Sequence, residues 1–143
     1  MQQMWSRTIV IGMLTLCSAE DIKKKKIHLN PVLMCGILGI FFHMLWRMQS
    51  MEDLLLGMSV GVVLLILSVL TGGRIGAGDA VLLIVTGIYL GLKQNLELFF
   101  GGLILCSIWA LGLLLLHKKN RKDSIPFVPF LLASYIGMLA CAL

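Results

Sequence analysis

Residues 54–70 read LLLGMSVGVVLLILSVL, an apolar run without a charge, and residues 71–79 follow it as TGGRIGAGD. The run is close to the ~20 residues that a helix needs to cross the hydrocarbon core of a bilayer. Because lipid offers no partner to backbone N–H and C=O groups, such a segment must be helical. The stretch therefore predicts a membrane helix that ends in a glycine-rich loop.

The rest of the chain repeats this apolar character. Of its 143 residues, 59% are hydrophobic and 13% are charged, and the mean hydropathy is +0.97. A water-soluble domain cannot bury so large an apolar fraction. We predict an all-α, polytopic membrane bundle that forms a single domain over residues 1–143. Its six predicted transmembrane helices are Met4–Ala19, Pro31–Trp46, Leu54–Leu70, Ala80–Leu92, Leu96–Leu116 and Pro126–Leu143.

The basic residues predict how this bundle is oriented. If six spans alternate in direction, the run Lys23–Lys26, Arg74 and the basic cluster of residues 118–122 all lie on one side. Loops rich in Lys and Arg stay in the cytoplasm, so both chain termini are expected outside. The net charge of +5 is then a topology signal, and we expect lipid rather than nucleic acid as the partner of these cations.

Two acids are candidates for chemistry. Asp79 follows the glycines and precedes an apolar span, and Asp21 closes the first span on the same predicted face. An ionisable residue at such a place is a functional candidate, because it is costly to bury. A pair of carboxylates that shares one proton supplies both a general base and a general acid, as peptide hydrolysis requires.

Each acid also has a structural interpretation. Asp79 is suited to cap the helix that follows it, and Asp21 is suited to lie at the interface beside the lysines. Glu20, next to Asp21, is the alternative partner, but adjacent residues on a helix point in different directions. The four cysteines form no CxxC pair and the three histidines lack suitable companions, so we predict no metal site and no cofactor.

The segment Gly76-Ala77-Gly78-Asp79 resembles the GxGD motif of type IV prepilin peptidases, a family of membrane aspartic proteases. Asp21 with the basic run and Ile27 after it resembles the family's first catalytic Asp. Ile125–Leu131, which reads IPFVPFL, resembles the Pro-Phe-Gly-Pro stretch that opens its last span.

The resemblance implies that Asp21 and Asp79 are catalytic and that Gly76, Ala77 and Gly78 let the substrate approach. The implied substrate is a pilin-like precursor, whose basic leader is cut at the cytoplasmic face of a bacterial inner membrane. Since the larger members carry paired CxxC motifs linked with zinc and methylation, the chain resembles the short, peptidase-only members.

His28, Val81 and Val128 stand where the family commonly has other residues. These three departures bear on substrate preference and rate. The sequence is also compatible with two alternatives to a peptidase. One is a small transporter or channel subunit that moves protons or cations with the same carboxylates, and the other is a protease-like scaffold without activity. The oligomeric state is not predicted.

Overall fold

The computed structural model describes residues 2–24, 29–46, 50–73, 75–115 and 125–141. These residues form helices and no strands, which confirms the all-α class. The five helices are α1 (Gln2–Lys24), α2 (Leu29–Trp46), α3 (Met51–Leu70), α4 (Ala77–Leu115) and α5 (Val128–Cys141). Of these, α2, α3 and α4 are long and apolar enough to cross a membrane. Six spans and external termini stay predictions.

Helix α4 is interrupted at Gly91, whose backbone has φ 72° and ψ −177°. A residue with a Cβ rarely adopts this φ, so glycine is what permits the break. An unbroken helix of 39 residues would be about 58 Å long, close to twice the ~30 Å hydrocarbon core. The break divides α4 into a first arm, residues 77–90, and a second arm, residues 92–115.

Asn95 ties the two arms together. Its side-chain oxygen accepts a hydrogen bond of 2.8 Å from Thr86 Oγ1, and its Nδ2 donates to the carbonyls of Leu83 and Gly57, both at 2.9 Å. In a continuous helix Leu83 and Asn95 would be about 18 Å apart. The chain therefore turns back at Gly91, and α4 is a helical hairpin.

Facing glycines let α3 pack closely on the first arm of α4. A Cβ at Gly57 would lie 2.6 Å from the carbonyl oxygen of Gly87, and a Cβ at Gly87 would collide with the backbone of Gly57. Gly61, one turn further along α3, meets Ala80 and Ile84 in the same way. Small residues four apart allow membrane helices to approach to backbone contact. This packing holds the arm that begins beside Asp79.

The core lies between α1, the arms of α4 and α5. Its fully buried members include Val10, Leu14, Leu82, Leu98 and Leu131. Large apolar side chains of α2 and α3 stay exposed instead, for example Met44 at 74% and Val69 at 76%. An outer surface of this kind suits a helix surrounded by lipid.

Several predicted boundaries are wrong. The first helix continues past Ala19 to Lys24, and the third begins at Met51 rather than Leu54. The predicted fourth and fifth spans leave residues 93–95 between them, whereas in the structure the break is at Gly91 and Asn95 is fully buried inside the second arm, where its amide pairs with the carbonyls of Gly57 and Leu83. The fourth helix also begins at Ala77 rather than Ala80, which brings Asp79 into its first turn.

Candidate active site

Asp21 lies in the last turn of α1 and is buried, with 7% of its surface exposed. Its Oδ2 accepts a hydrogen bond of 3.1 Å from the backbone N–H of Val128, the first residue of α5. Within the described ranges, this carboxylate forms no other hydrogen bond. Its second oxygen, Oδ1, is left for another partner.

Helix α5 begins without a polar capping side chain of its own. Phe127 precedes it, and the Phe127 carbonyl accepts a hydrogen bond of 3.0 Å from the N–H of Phe130. Pro129 has no N–H to satisfy, so Val128 carries the donor that needs an acceptor from elsewhere. Asp21 supplies that acceptor, and a negative charge is favoured at the positive end of the helix dipole.

A glycine turn leads from α3 to α4. Gly72 and Gly73 have φ values of 64° and 81°, which favour glycine over any L residue. Ser68, buried near the end of α3, donates a hydrogen bond of 2.6 Å from its Oγ to the carbonyl of Ile75. This bond fixes the end of the loop to α3, one residue before Gly76.

Asp79 is the third residue of α4 and is half-buried. The N–H groups of Asp79 and Ala80 bond to the carbonyl of Gly76 at 3.1 and 3.3 Å. The N-cap is therefore Gly76 and not Asp79. The Asp79 carboxylate folds back over this glycine, since a Cβ at residue 76 would lie 2.8 Å from its Oδ2. Glycine at this position leaves the space that the carboxylate occupies.

The two acids predicted from the sequence approach one another in the fold. The Asp21 carboxylate is close enough to that of Asp79 to act on it electrostatically, although the two side chains come from different helices. Glu20, the alternative partner, acts on Cys17. Like charges within electrostatic range repel each other, and two carboxylates arranged in this way can act together as an acid and a base.

Two thiols lie beside this pair. Cys17, one turn before Asp21, is within electrostatic range of that acid, and Cys106 in the second arm of α4 is within range of Asp79. The second arm therefore passes close to the start of the first. Among the described residues, no group of three or more His, Cys, Asp or Glu side chains is arranged to hold a metal ion.

The glycine motif forms an open rim on this site. Gly76 and Ala77 are exposed, and Gly78 is half-buried. Two of the departures from the family pattern have side chains that pack into the interior: Val128 is fully buried, and Val81 packs against the core. The third, His28, lies outside the described residues, as do Lys25, Lys26 and Arg74.

Three contacts that position the site have no counterpart among the sequence-based predictions. These are the Ser68 hydroxyl on the Ile75 carbonyl, the Val128 N–H on Asp21, and the Asn95 side chain that closes the α4 hairpin. The glycine packing of α3 could have been predicted from the sequence, because Gly57 and Gly61 form a GxxxG pattern within an apolar run. Ser68 also interrupts that run just before the turn.

Comparison with known proteins places this arrangement in a family. No curated protein and no solved structure matches the chain. Residues 8–142 match the type IV leader peptidase family, and this range includes both acids, the glycine motif and most of every helix described above. The chain therefore belongs to the type IV leader peptidase family.

Proposed function

We propose that this protein is a membrane-embedded aspartic endopeptidase that removes the basic leader from type IV pilin-like precursors. Membership of a leader peptidase family supports peptidase activity. The aspartic assignment rests on one observation: Asp21 and Asp79 come from separate helices and lie within electrostatic range of each other. No other described cluster offers a comparable pair of acid and base.

In the proposed mechanism the two carboxylates have different roles. Asp21 is the base, because its Oδ2 is held by the Val128 N–H and its Oδ1 accepts no hydrogen bond within the described residues, which leaves that oxygen for a water molecule. It takes a proton from a water molecule that attacks the scissile carbonyl. Asp79 keeps its proton, donates a hydrogen bond to the carbonyl oxygen, and so stabilises the negative charge that develops there. Asp21 then transfers this proton to the leaving amine as the C–N bond breaks, and both carboxylates return to their starting state.

The proposed substrate reaches this pair along the exposed rim. The precursor's apolar helix lies in the bilayer, and its scissile bond lies in an extended segment at the membrane surface. Gly76 and Ala77 carry no bulky side chain that would hold this segment away from Asp79. We assign the motif to substrate binding because its small residues let a substrate backbone come within hydrogen-bonding distance of the site.

The proposed topology has six membrane-crossing segments, counting the two arms of α4 separately. The basic residues of the loops after the first, third and fifth predicted spans support carboxylates at the cytoplasmic face and both termini outside. The proposed location is a bacterial cytoplasmic membrane. For these 143 residues, which contain no CxxC pair, we propose peptide hydrolysis without methyl transfer, cofactor or metal.

The transporter alternative has less support. A transport pathway needs polar groups that are free to bind an ion or relay a proton near the middle of the membrane. Two of the buried polar side chains, Thr86 and Asn95, direct their groups to each other and to backbone carbonyls, and a third, His43, lies in the last turn of α2 rather than at mid-helix. The peptidase proposal uses carboxylates at the helix ends instead.

Co-expression with a pilin-like precursor tests the proposal. We expect the unmodified protein to shorten the precursor by the length of its leader, and Asp21→Asn and Asp79→Asn each to abolish the shift on a gel. Glu20→Gln, an adjacent acid, should retain processing. Normal processing by either Asp variant, with equal protein in the membrane, would exclude the carboxylate pair.

A further inference from the structure

A second site lies away from the carboxylate pair. An open cavity of about 440 Å³ is lined by Arg7, Gln94, Glu97 and Tyr135, together with Met138 and Leu139. Arg7 and Asp21 are separated by about 21 Å along α1, and Tyr135 and Val128 by about 10 Å along α5. The cavity therefore lies toward the opposite end of these helices and shares no residue with the candidate active site.

Tyr135 provides an observation that points to a ligand. Its side chain is 2% exposed, and its hydroxyl finds no hydrogen-bond partner among the described residues. An unpaired buried hydroxyl destabilises a folded protein, so native structures seldom leave one. Arg7 lies close enough to this hydroxyl to act on it electrostatically. Both residues line the cavity, so a cation lies at its wall together with a residue whose donor is unused.

The other polar groups of the cavity have a different character. Glu97 contributes a carboxylate, and Gln94 contributes an amide whose oxygen can accept a hydrogen bond. Across the part of the chain that the structure describes, no ion pair joins Glu97 to Arg7. A ligand that suits all four residues carries both an anionic and a cationic group.

We propose that this cavity binds the zwitterionic headgroup of a phosphatidylethanolamine lipid. The phosphate accepts hydrogen bonds from the Arg7 guanidinium and the Tyr135 hydroxyl, which is the donor chemistry that phosphate requires. The primary ammonium donates to the Glu97 carboxylate and the Gln94 amide oxygen. Met138 and Leu139 contact the glycerol and the start of the acyl chains. A volume of this size falls within the range of small-ligand sites.

This chemistry distinguishes related lipids. A phosphatidylcholine headgroup has the same charges, but its quaternary ammonium cannot donate a hydrogen bond to Glu97. A phosphatidylglycerol headgroup offers the phosphate without a cation to pair with that carboxylate. Inorganic phosphate supplies only the anionic part and has no acyl chain to rest on the apolar residues.

The test measures lipid binding to the full chain in detergent. Purified protein is titrated with short-chain phosphatidylethanolamine, phosphatidylcholine, phosphatidylglycerol or inorganic phosphate, and bound lipid and the thermal unfolding temperature are recorded. We expect phosphatidylethanolamine to bind with the highest affinity and to raise the unfolding temperature. Arg7→Gln and Tyr135→Phe should each weaken its binding by about tenfold or more. Lys93→Gln, which removes an exposed cation outside the cavity, should leave binding unchanged.

Tyr135→Phe separates binding from folding. The variant removes a hydroxyl that has no partner among the described residues, so without lipid its unfolding temperature should equal or exceed that of the unmodified protein. With phosphatidylethanolamine it should lose the stabilisation. Equal affinity for all three lipids, or for inorganic phosphate, would overturn the proposal, as would binding that neither cavity variant weakens. Binding at this cavity is independent of the carboxylate pair, so an inactive Asp79→Asn protein should show the same lipid preference.

Discussion

The backbone N–H of Val128 donates a hydrogen bond of 3.1 Å to Oδ2 of Asp21. One carboxylate thus completes the N-terminus of α5 and also lies within electrostatic range of Asp79. Because the same group serves folding and the proposed chemistry, replacing it affects both, and a loss of activity alone does not identify its role. The choice of substitution separates the two effects.

Asp21→Asn keeps an oxygen that accepts the bond from Val128 but removes the ionisable group. We expect cleavage to be lost, while the free energy of unfolding changes little. Asp21→Ala removes the acceptor as well, and the loss of a helix cap should lower that free energy by about 1 kcal/mol. Thermal unfolding in detergent, read beside precursor cleavage, checks both variants. Cleavage by Asp21→Asn at the unmodified rate would leave Asp21 with the capping role alone.

Gly76→Ala tests the space beneath the Asp79 carboxylate. A Cβ at residue 76 would lie 2.8 Å from Oδ2, so the carboxylate must move away from its position near Asp21. A displacement of about 1 Å in an active site can lower the rate by about a hundredfold, and we expect a loss of that order in the cleavage rate. The protein should remain folded, because residue 76 is exposed.

Gly112→Ala is the matched control for this change. Nothing lies within 4 Å of a Cβ at that position, and alanine is favoured over glycine within a helix by about 0.5–1 kcal/mol. Its cleavage rate should stay unchanged and its stability should rise slightly. If Gly76→Ala cleaves as fast as Gly112→Ala, the glycine is not required for the position of Asp79.

The sequence predicts the helices of this protein better than it predicts their ends. A long uncharged segment that crosses lipid must be helical, so composition alone predicts α2 and α3. The position of Asp79 beside a helix start follows from the glycines before it. The predicted fourth and fifth spans leave Lys93, Gln94 and Asn95 between them. Asn95 is buried because the turn at Gly91 brings its side chain to the carbonyls of Gly57 and Leu83, which lie far from it in the sequence.

The contact that holds Asp21 could not be predicted either. Its donor is a backbone N–H, which every residue except proline possesses, so Val128 carries no sign of this role. The need for an outside acceptor arises from Phe127 and Pro129 together, once the start of α5 is known. A sequence shows which side chains can form hydrogen bonds. Which backbone N–H group binds a given side chain depends on the fold.

Ser68→Ala tests whether the loop before Asp79 must be fixed to α3. The variant removes the hydrogen bond of 2.6 Å to the Ile75 carbonyl, so the loop gains freedom and the carboxylate is less well placed. We expect kcat for precursor cleavage to fall by about tenfold, equivalent to ~1.4 kcal/mol of barrier, with KM little changed. Ser107→Ala removes a hydroxyl that bonds to the Leu103 carbonyl of its own helix, and should cleave normally. Equal rates for the two variants would show that this bond does not position Asp79.

Asn95→Ala tests the hairpin that brings the second arm back toward Asp79. The change removes one acceptor and two donors, and it leaves the Thr86 hydroxyl and the carbonyls of Gly57 and Leu83 without this partner. Buried polar groups without partners should lower the free energy of unfolding by about 1–3 kcal/mol. Asn30→Ala, at an exposed position, should stay within about 0.5 kcal/mol of the unmodified protein. Unfolding in detergent measures both values.

Because Cys106 on the second arm lies near Asp79, a loosened hairpin should also make this thiol react faster with a water-soluble maleimide. An Asn95→Ala protein with unchanged stability and unchanged labelling at Cys106 would mean that Gly91 and the glycine contacts with α3 hold the two arms together without Asn95.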